Sequence, residues 1–353
     1  MQENTMKICL LGGYGDVGLR LAGLLHQDTQ LHIVLAGRNG QRAEAAARDI
    51  GPRCHGMALD VGAPDAAARL AEMALCINLT EATPPELAAS LIAAGTHFID
   101  SAATPAYVAG LGLAIAAVAA PRATAVLQTG LAPGLTNLLA TQITRAHPET
   151  RSIDILIEMG MGTHHGVAAT EWTLQALGQS YPMKWNGTWQ EIRTGAIARK
   201  FDTDQGPVHA MGFAFVDQAS IARDLDLAGA RTFLAVDPGW MTRVLRGLTA
   251  APLRGLMMRY SAPLTRIMQR GPTMGGTGTR LILEGRNDRG DVIATRGLTG
   301  GPQADMTAAV IAQAATALLR PTAPVKPGMQ PLSAVLDPAT ITERPIGISG
   351  LSM

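Results

Sequence analysis

Three glycines, Gly13, Gly15 and Gly18, follow the apolar run Lys7–Leu11 with the spacing G-x-G-x-x-G. That spacing can hold a dinucleotide. The first glycine permits a tight turn, and the second lets backbone N–H groups approach a pyrophosphate. The third lets the following helix sit close to the strand, with its positive N-terminus toward the phosphates. Tyr14, Asp16 and Val17 fill the intervening positions. About 20 residues on, a second apolar run, Leu31–Ala36, ends in Gly37-Arg38-Asn39. An NAD site usually carries Asp or Glu at that strand end. Arg38 there instead suits a 2′-phosphate through charge-assisted hydrogen bonds, so the expected cofactor is NADP(H), with Asn39 beside it. A solvated arginine opening a helix is the other reading of Arg38, since Arg42 and Arg48 lie nearby.

These positions need strands to present them. Apolar runs and helix patterns alternate from Met6 to Gln128: strands near 6–11, 31–36, 54–59, 75–79, 97–100 and 125–128, with helices between. Such βαβ alternation predicts an α/β fold with an open, doubly wound parallel sheet. Ligands of such sheets bind beyond the carboxyl ends of the strands. That rule adds Asp60 and Val61 as adenine neighbours, and Thr80 and Ser101 nearer the reacting end. Ordinary loop, cap and turn roles compete for each of them.

The texture changes after Gly130. Runs at 152–159, 231–236, 279–284 and 291–296 are strand-like but widely spaced, and predict a second α/β domain with a mixed or antiparallel sheet. The expected division is 1–130, completed by about 302–353, and 131–301. Asn186-Gly187 between Trp185 and Trp189 signals a hairpin turn. The Ala- and Gly-rich run 105–120 is short for a membrane span and is better placed as a helix on the sheet.

Composition excludes several classes. The 353 residues suit two domains. The net charge of +1 and an aromatic content of 4% argue against a nucleic-acid partner. Cys9, Cys54 and Cys76 are few and odd in number, and no zinc spacing is present, so neither a disulfide framework nor a metal site is expected. Met1–Met6 has no signal-peptide pattern, and the cytoplasm is the expected compartment. No acidic residue falls between Pro238 and Leu283, while Arg243, Arg246, Arg254, Arg259, Arg266, Arg270 and Arg280 do. A solvated or domain-facing helix surface, a membrane-surface contact through 238–283, or a carboxylate-binding arginine would each produce such a stretch.

The chain resembles the saccharopine dehydrogenase-like oxidoreductases. The matching pieces are Ile8–Gly18, Leu35-Ala36-Gly37-Arg38, Cys76-Ile77-Asn78-Leu79, the segment 93–100 ending in Asp100, and the Pro133-Gly134 junction running into Asn137. The similarity is good over about 6–145, looser over about 275–320, and poor between. It implies a Rossmann domain, a substrate and dimerisation domain, a homodimer through the second sheet, and hydride transfer at a C–N bond of an amino-acid-like substrate. A protonated imine needs a proton donor or a stabilising carboxylate. The candidates are Asp100, His165 with its neighbour His164, Glu171 and His209. Asn137, at a helix start, could hold a carboxylate or a carboxamide. Capping or solvated roles compete for all of them. The cluster Gly160-Met161-Gly162-Thr163-His164-His165-Gly166 reads as a loop whose glycines admit a ligand. Three other activities remain open: a lysine ε-dehydrogenase-like amine oxidation, a carbonyl or C=C reductase, and a non-catalytic NADP-sensing protein. The nearest approach to a Tyr-x-x-x-Lys pair, Tyr181-Pro182-Met183-Lys184, is one residue short.

Overall fold

A computed structural model of the protein describes residues 6–163, 166–249, 255, 259–320 and 325–341. His164, His165 and Arg254 lie outside the described residues. The chain divides into two compact units, the first holding the described residues up to Leu135 together with Ala304–Thr340, the second Thr136–Gln303 with Ile341.

The first unit starts with β1 (Met6–Leu11), whose last four residues are fully enclosed. Then follow α1 (Asp16–Leu25), β2 (Leu31–Gly37), α2 (Gly40–Ile50), β3 (Cys54–Ala58), α3 (Ala66–Leu70), β4 (Leu75–Asn78), α4 (Pro85–Ala94), β5 (His97–Asp100), α5 (Pro105–Ala116) and β6 (Thr124–Val126). Helix α1 buries Gly18, Leu21, Ala22 and Leu25, one stripe at three- and four-residue steps. Helix α2 buries only Ala43 and Ala47, small enough to let it close on β3. A Cβ on Gly56 of β3 would lie 2.2 Å from the Glu44 backbone nitrogen. Cys9, Cys76, Phe98, Leu91 and Leu111 share one core between the sheet and the helices on that side. Helix α5 ends at Ala116, and no helix among the described residues is long and apolar enough to cross a membrane.

The second unit opens with α6 (Thr136–Ala146) and β7 (Ser152–Gly160), then α7 (Val167–Ala176). The hairpin β8 (Ser180–Trp185) and β9 (Thr188–Arg193) turns at Asn186 and Gly187, both with positive φ, as the Asn-Gly pair predicts. Next come β10 (Ala198–Thr203), β11 (Gly206–Gly212), α8 (Asp217–Asp224), β12 (Gly229–Asp237), α9 (Trp240–Leu248), α10 (Ser261–Met268), β13 (Thr279–Arg286) and β14 (Val292–Gly300). Its main sheet has the order β10-β11-β12-β7-β13-β14. Only β12 and β7 run parallel, so the sheet is mixed. Arg231, Asp154 and Glu284 stand directly across from one another on β12, β7 and β13. The Asp154 carboxylate, completely buried, receives Arg231 at 2.6 and 2.8 Å, Arg286 at 2.9 Å, and Arg199. Glu284 accepts from Nη2 of both Arg199 and Arg286, and Arg286 Nη1 donates to the Gly290 carbonyl.

The chain then returns to the first unit through α11 (Gln303–Leu319) and β15 (Gly328–Gln330). The completed sheet has seven parallel strands in the order β15-β6-β5-β4-β1-β2-β3. Strand order reverses at β1 and β4, which opens a crevice beyond their carboxyl ends. Ile341 falls in the second unit, where its carbonyl accepts from Gln142 Nε2 at 2.8 Å.

Candidate functional site

The glycine turn sits at that crevice. Gly12, one residue earlier than the spacing suggests, makes the tight turn with φ +82°. Its Cα faces the β4 loop, since a Cβ there would lie 3.5 Å from the Leu79 carbonyl oxygen and 3.6 Å from Thr80 Cβ. Gly13 is a packing residue instead. A Cβ would lie 2.8 Å from the Leu10 carbonyl oxygen and 3.0 Å from Leu35 Cα. Gly18 brings α1 against the turn, where a Cβ would lie 2.5 Å from the Gly13 carbonyl oxygen. Gly15 is different. It caps α1 with φ −80°, is exposed, and a Cβ would have only the Gly12 carbonyl oxygen near it, at 3.2 Å. A bare, exposed helix start with unpaired first-turn N–H groups fits a pyrophosphate. Asp16 stands in that first turn, but its carboxylate is held by Arg20 Nε at 3.1 Å, and Arg20 also pairs with Asp305.

Tyr14 links this turn to the end of β2. A Cβ on Gly37 would fall 2.4 Å from the Tyr14 ring, so the ring packs directly against the glycine. Its hydroxyl accepts from the Asn39 N–H at 3.3 Å. Asn39 caps α2 through Oδ1, which accepts from the Arg42 N–H at 3.0 Å. The Arg42 guanidinium lies 4.9 Å from the Tyr14 ring centroid. Arg38 is exposed, and no side chain among the described residues pairs with it. Two guanidiniums and an α2 first turn free of acids therefore share this end of the sheet.

The other expected positions lie along the same edge. Asp60 and Val61 follow β3. Asp60 accepts from the Gly62 N–H at 3.0 Å, and Val61 packs on the core. Thr80 follows β4 and accepts from the Ala82 N–H at 3.3 Å. Ser101 follows β5 and donates its hydroxyl to the Asn78 carbonyl at 3.1 Å. Glu81 accepts from the Ala103 and Thr104 N–H groups at 3.0 and 2.9 Å, tying the β4 and β5 loops together.

Asp100, expected as a candidate proton donor, does not face solvent. It is completely buried, with Oδ1 accepting from Asn78 Nδ2 at 2.7 Å and Oδ2 from the Ala102 N–H at 3.0 Å. Burial pushes its carboxyl up to about 7, against the pull of those hydrogen bonds. Asn78 also donates to the Tyr107 hydroxyl at 3.0 Å and accepts from Thr83 Oγ1 at 2.7 Å. Tyr107 in turn donates to the Thr83 carbonyl at 2.8 Å. Burial and the nearby Asp100 push its phenol up to about 12. Asn78, Thr83 and Tyr107 were not among the expected residues. The network locks the ends of β4 and β5 to the start of α5.

Asn137 lies in the second unit, on α6, where its Nδ2 donates to Ser220 Oγ at 3.0 Å. That contact ties α6 to α8. Glu171, on α7, accepts from Gln175 Nε2 at 3.4 Å, and His209, on β11, is exposed. Gly160 and Gly162 admit backbone, not a ligand. Their Cβ positions would fall 2.1 and 2.4 Å from the carbonyl oxygens of Gly276 and Gly275. Gly160 and Gly162 donate N–H groups to Gly278 and Gly276, each at 2.8 Å.

Beside them lies a cavity of about 520 Å³, lined by Glu158, Asp237, Arg280, His209, Trp240 and Arg243 among others. Glu158 pairs with Arg280 at 3.1 Å. Burial raises the Glu158 carboxyl, and Arg280 partly offsets it. Among the described residues no group of three or more metal-ligating side chains forms a metal site.

No protein-family model and no curated protein sequence matches this chain. Among solved structures, apo saccharopine dehydrogenase (L-Glu forming) from Saccharomyces cerevisiae is similar with a TM-score of 0.65 at 14% identity, covering 94% of this chain and 96% of that one. The fold is that of saccharopine dehydrogenase. Two others align less well, both at 12% identity over 93% of each chain: DAP dehydrogenase from C. glutamicum (TM-score 0.44) and an engineered D-amino acid dehydrogenase bound to NADP+ (TM-score 0.42).

Proposed function

We propose that this protein is an NADP(H)-dependent oxidoreductase that transfers hydride at a C–N bond of an amino-acid-like substrate. The observation that carries the reading is the strand–turn–helix of β1 and α1, with Gly15 bare at the helix start and Arg38 unpaired at the neighbouring strand end. The N-terminus of α1 would hold the pyrophosphate, Arg38 and Asn39 the 2′-phosphate end, and Thr80 and Ser101 would stand toward the nicotinamide. The cofactor, when bound, supplies the hydride. The protein supplies orientation and electrostatics. The saccharopine dehydrogenase fold agrees with C–N chemistry, and the expected homodimer through the second unit's sheet belongs to the same reading.

Titration of the protein with NADPH and NADH, followed by nucleotide fluorescence, tests the cofactor. NADPH is expected to bind at least tenfold tighter. Arg38→Ala should weaken NADPH binding while leaving NADH unchanged, and equal losses would remove the assignment. NADPH oxidation with pairs of aldehydes and amino acids tests the reaction. Tight NADPH binding without turnover on any pair would favour a sensor.

A further inference from the structure

The stretch 238–283 carries seven arginines and no acid. The protein as a whole has 29 Lys and Arg against 28 Asp and Glu, so the rest of the chain is net negative by six. The positive charge is therefore concentrated in this stretch, although Arg280 is taken up by its pair with Glu158. The same stretch concentrates exposed apolar side chains. Of the eleven large hydrophobic residues exposed among the described residues, five fall within it: Trp240, Val244, Tyr260, Ile267 and Met274.

The helices that carry them are anchored by their other faces. Helix α9 packs on β12 and β11. Its Thr242 is buried and accepts from the Val236 N–H at 2.9 Å, and Arg246 donates to the Gly195 carbonyl at 3.1 Å. Trp240 and Val244, one turn apart, are each 52% exposed. Helix α10 buries Ser261 and Thr265 against α7. Gln175 Nε2 donates to Ser261 Oγ at 3.4 Å and Gln269 Nε2 to Thr170 Oγ1 at 3.3 Å, which sets the two helices antiparallel. That pairing brings the exposed Val167, at the start of α7, toward the α10 end that exposes Arg266, Ile267 and Arg270. No acidic side chain among the described residues pairs with Arg266 or Arg270.

We propose that this arginine-rich, apolar-studded stretch of the second unit docks on an anionic lipid bilayer surface, with Trp240, Val244 and Ile267 entering the headgroup boundary and Arg266 and Arg270 meeting lipid phosphates. Amphipathic helices bind such surfaces by combining buried apolar area with attraction to anionic headgroups, and Trp favours that boundary. A second copy fits poorly through a two-fold interface of this stretch with itself, because like charges would face each other. A nucleic acid would use the arginines but leave the aliphatic side chains without a role.

The test is co-sedimentation of the full chain with vesicles of phosphatidylglycerol and phosphatidylcholine in equal parts, and with phosphatidylcholine alone. At least tenfold preference for the anionic vesicles is expected at 0.1 M NaCl, falling about tenfold at 0.5 M, on the order that screening of several charges gives. Arg266→Glu with Arg270→Glu should abolish the preference. Trp240→Asn with Ile267→Asn leaves the charge unchanged and should weaken binding several-fold. All four residues are exposed, so thermal melting should be unaltered. Three results would overturn the proposal: no binding to anionic vesicles, vesicle binding that the apolar pair does not change, or a concentration-dependent dimer that the same substitutions dissociate. DNA binding that survives the apolar pair would assign the stretch to a polyanion instead. None of these outcomes depends on the cofactor.

Discussion

The Asn78 amide donates to the Asp100 carboxyl at 2.7 Å, and neither residue is exposed. Because burial lifts Asp100 to about 7, its proton is held more tightly in the folded chain than in the unfolded one, where an aspartate titrates near 4. The stability tied to that proton is fully present below about pH 4 and is lost as pH rises to about 7. The loss amounts to at most about 4 kcal/mol. Asp100→Asn removes the titration. The difference in melting temperature between the parent and Asp100→Asn should therefore move against the parent from pH 5 to pH 8, and then level. A difference that is flat across that range would show that Asp100 stays ionised throughout.

The glycines of the turn should separate in their effects. Gly18→Ala forces a methyl to within 2.5 Å of a backbone oxygen, so α1 must shift. Overpacking of this kind costs about 1–3 kcal/mol, and a lower melting temperature is expected even without cofactor. Gly15→Ala meets only one atom, at 3.2 Å, and keeps an ordinary φ. Its melting temperature should be close to that of the parent, while NADPH binding weakens at least tenfold, on the order expected when a side chain blocks a helix-terminal anion site. Equal losses of stability in the two variants would contradict the open cradle at Gly15.

Arg42 is ordered by Tyr14, at 4.9 Å from the ring centroid. A cation–π contact at an exposed site contributes about 0.5–1 kcal/mol. Tyr14→Ala should thus weaken binding of adenosine 2′,5′-bisphosphate more than Tyr14→Phe does, because Phe keeps the ring. Isothermal titration of the two variants gives the comparison. Identical affinities would mean that the ring has no part in presenting the guanidinium.

The β1–α1 turn was legible because much of what shapes it is local: Gly15 and Gly18 meet only the turn itself, whereas the contacts of Gly12 with the β4 loop and of Gly13 with Leu35 come from the sheet. Gly13 reaches no further than β2, the next strand in the chain. The hairpin at Asn186-Gly187 was legible for the same reason. The Asp100 network was not. Asn78, Thr83, Asp100 and Tyr107 meet only because β4 and β5 are neighbours in the sheet, and nothing in their spacing marks them as partners. Two conspicuous glycines in a histidine-bearing loop suggest a ligand. Their real neighbour, Gly275–Gly278, is more than a hundred residues away and has no visible link to them in the sequence. Strand β15 was hidden in a proline-rich tail, and its place depends on pairing with β6. Local chemistry could be read ahead of the fold, whereas pairing across the sheets could not.

Asp154 offers the clearest test of the second unit. Its carboxylate is fully buried and joins Arg199, Arg231 and Arg286, while Glu284 meets two of the three. Arg231 is held from its other side by the Trp185 ring, 3.6 Å from the guanidinium carbon. Removing Asp154 would leave three cations around one carboxylate, in a part-buried site where water screens them poorly. Asp154→Ala should cost about 3–5 kcal/mol, the range for breaking one partner out of a buried ion pair, as read from chemical denaturation. If uncompensated charge is the cause, adding Arg231→Met to that variant should recover part of the loss, since the double variant buries one cation fewer. A double variant with additive losses would instead assign the cost of Asp154→Ala to the cavity left on β7.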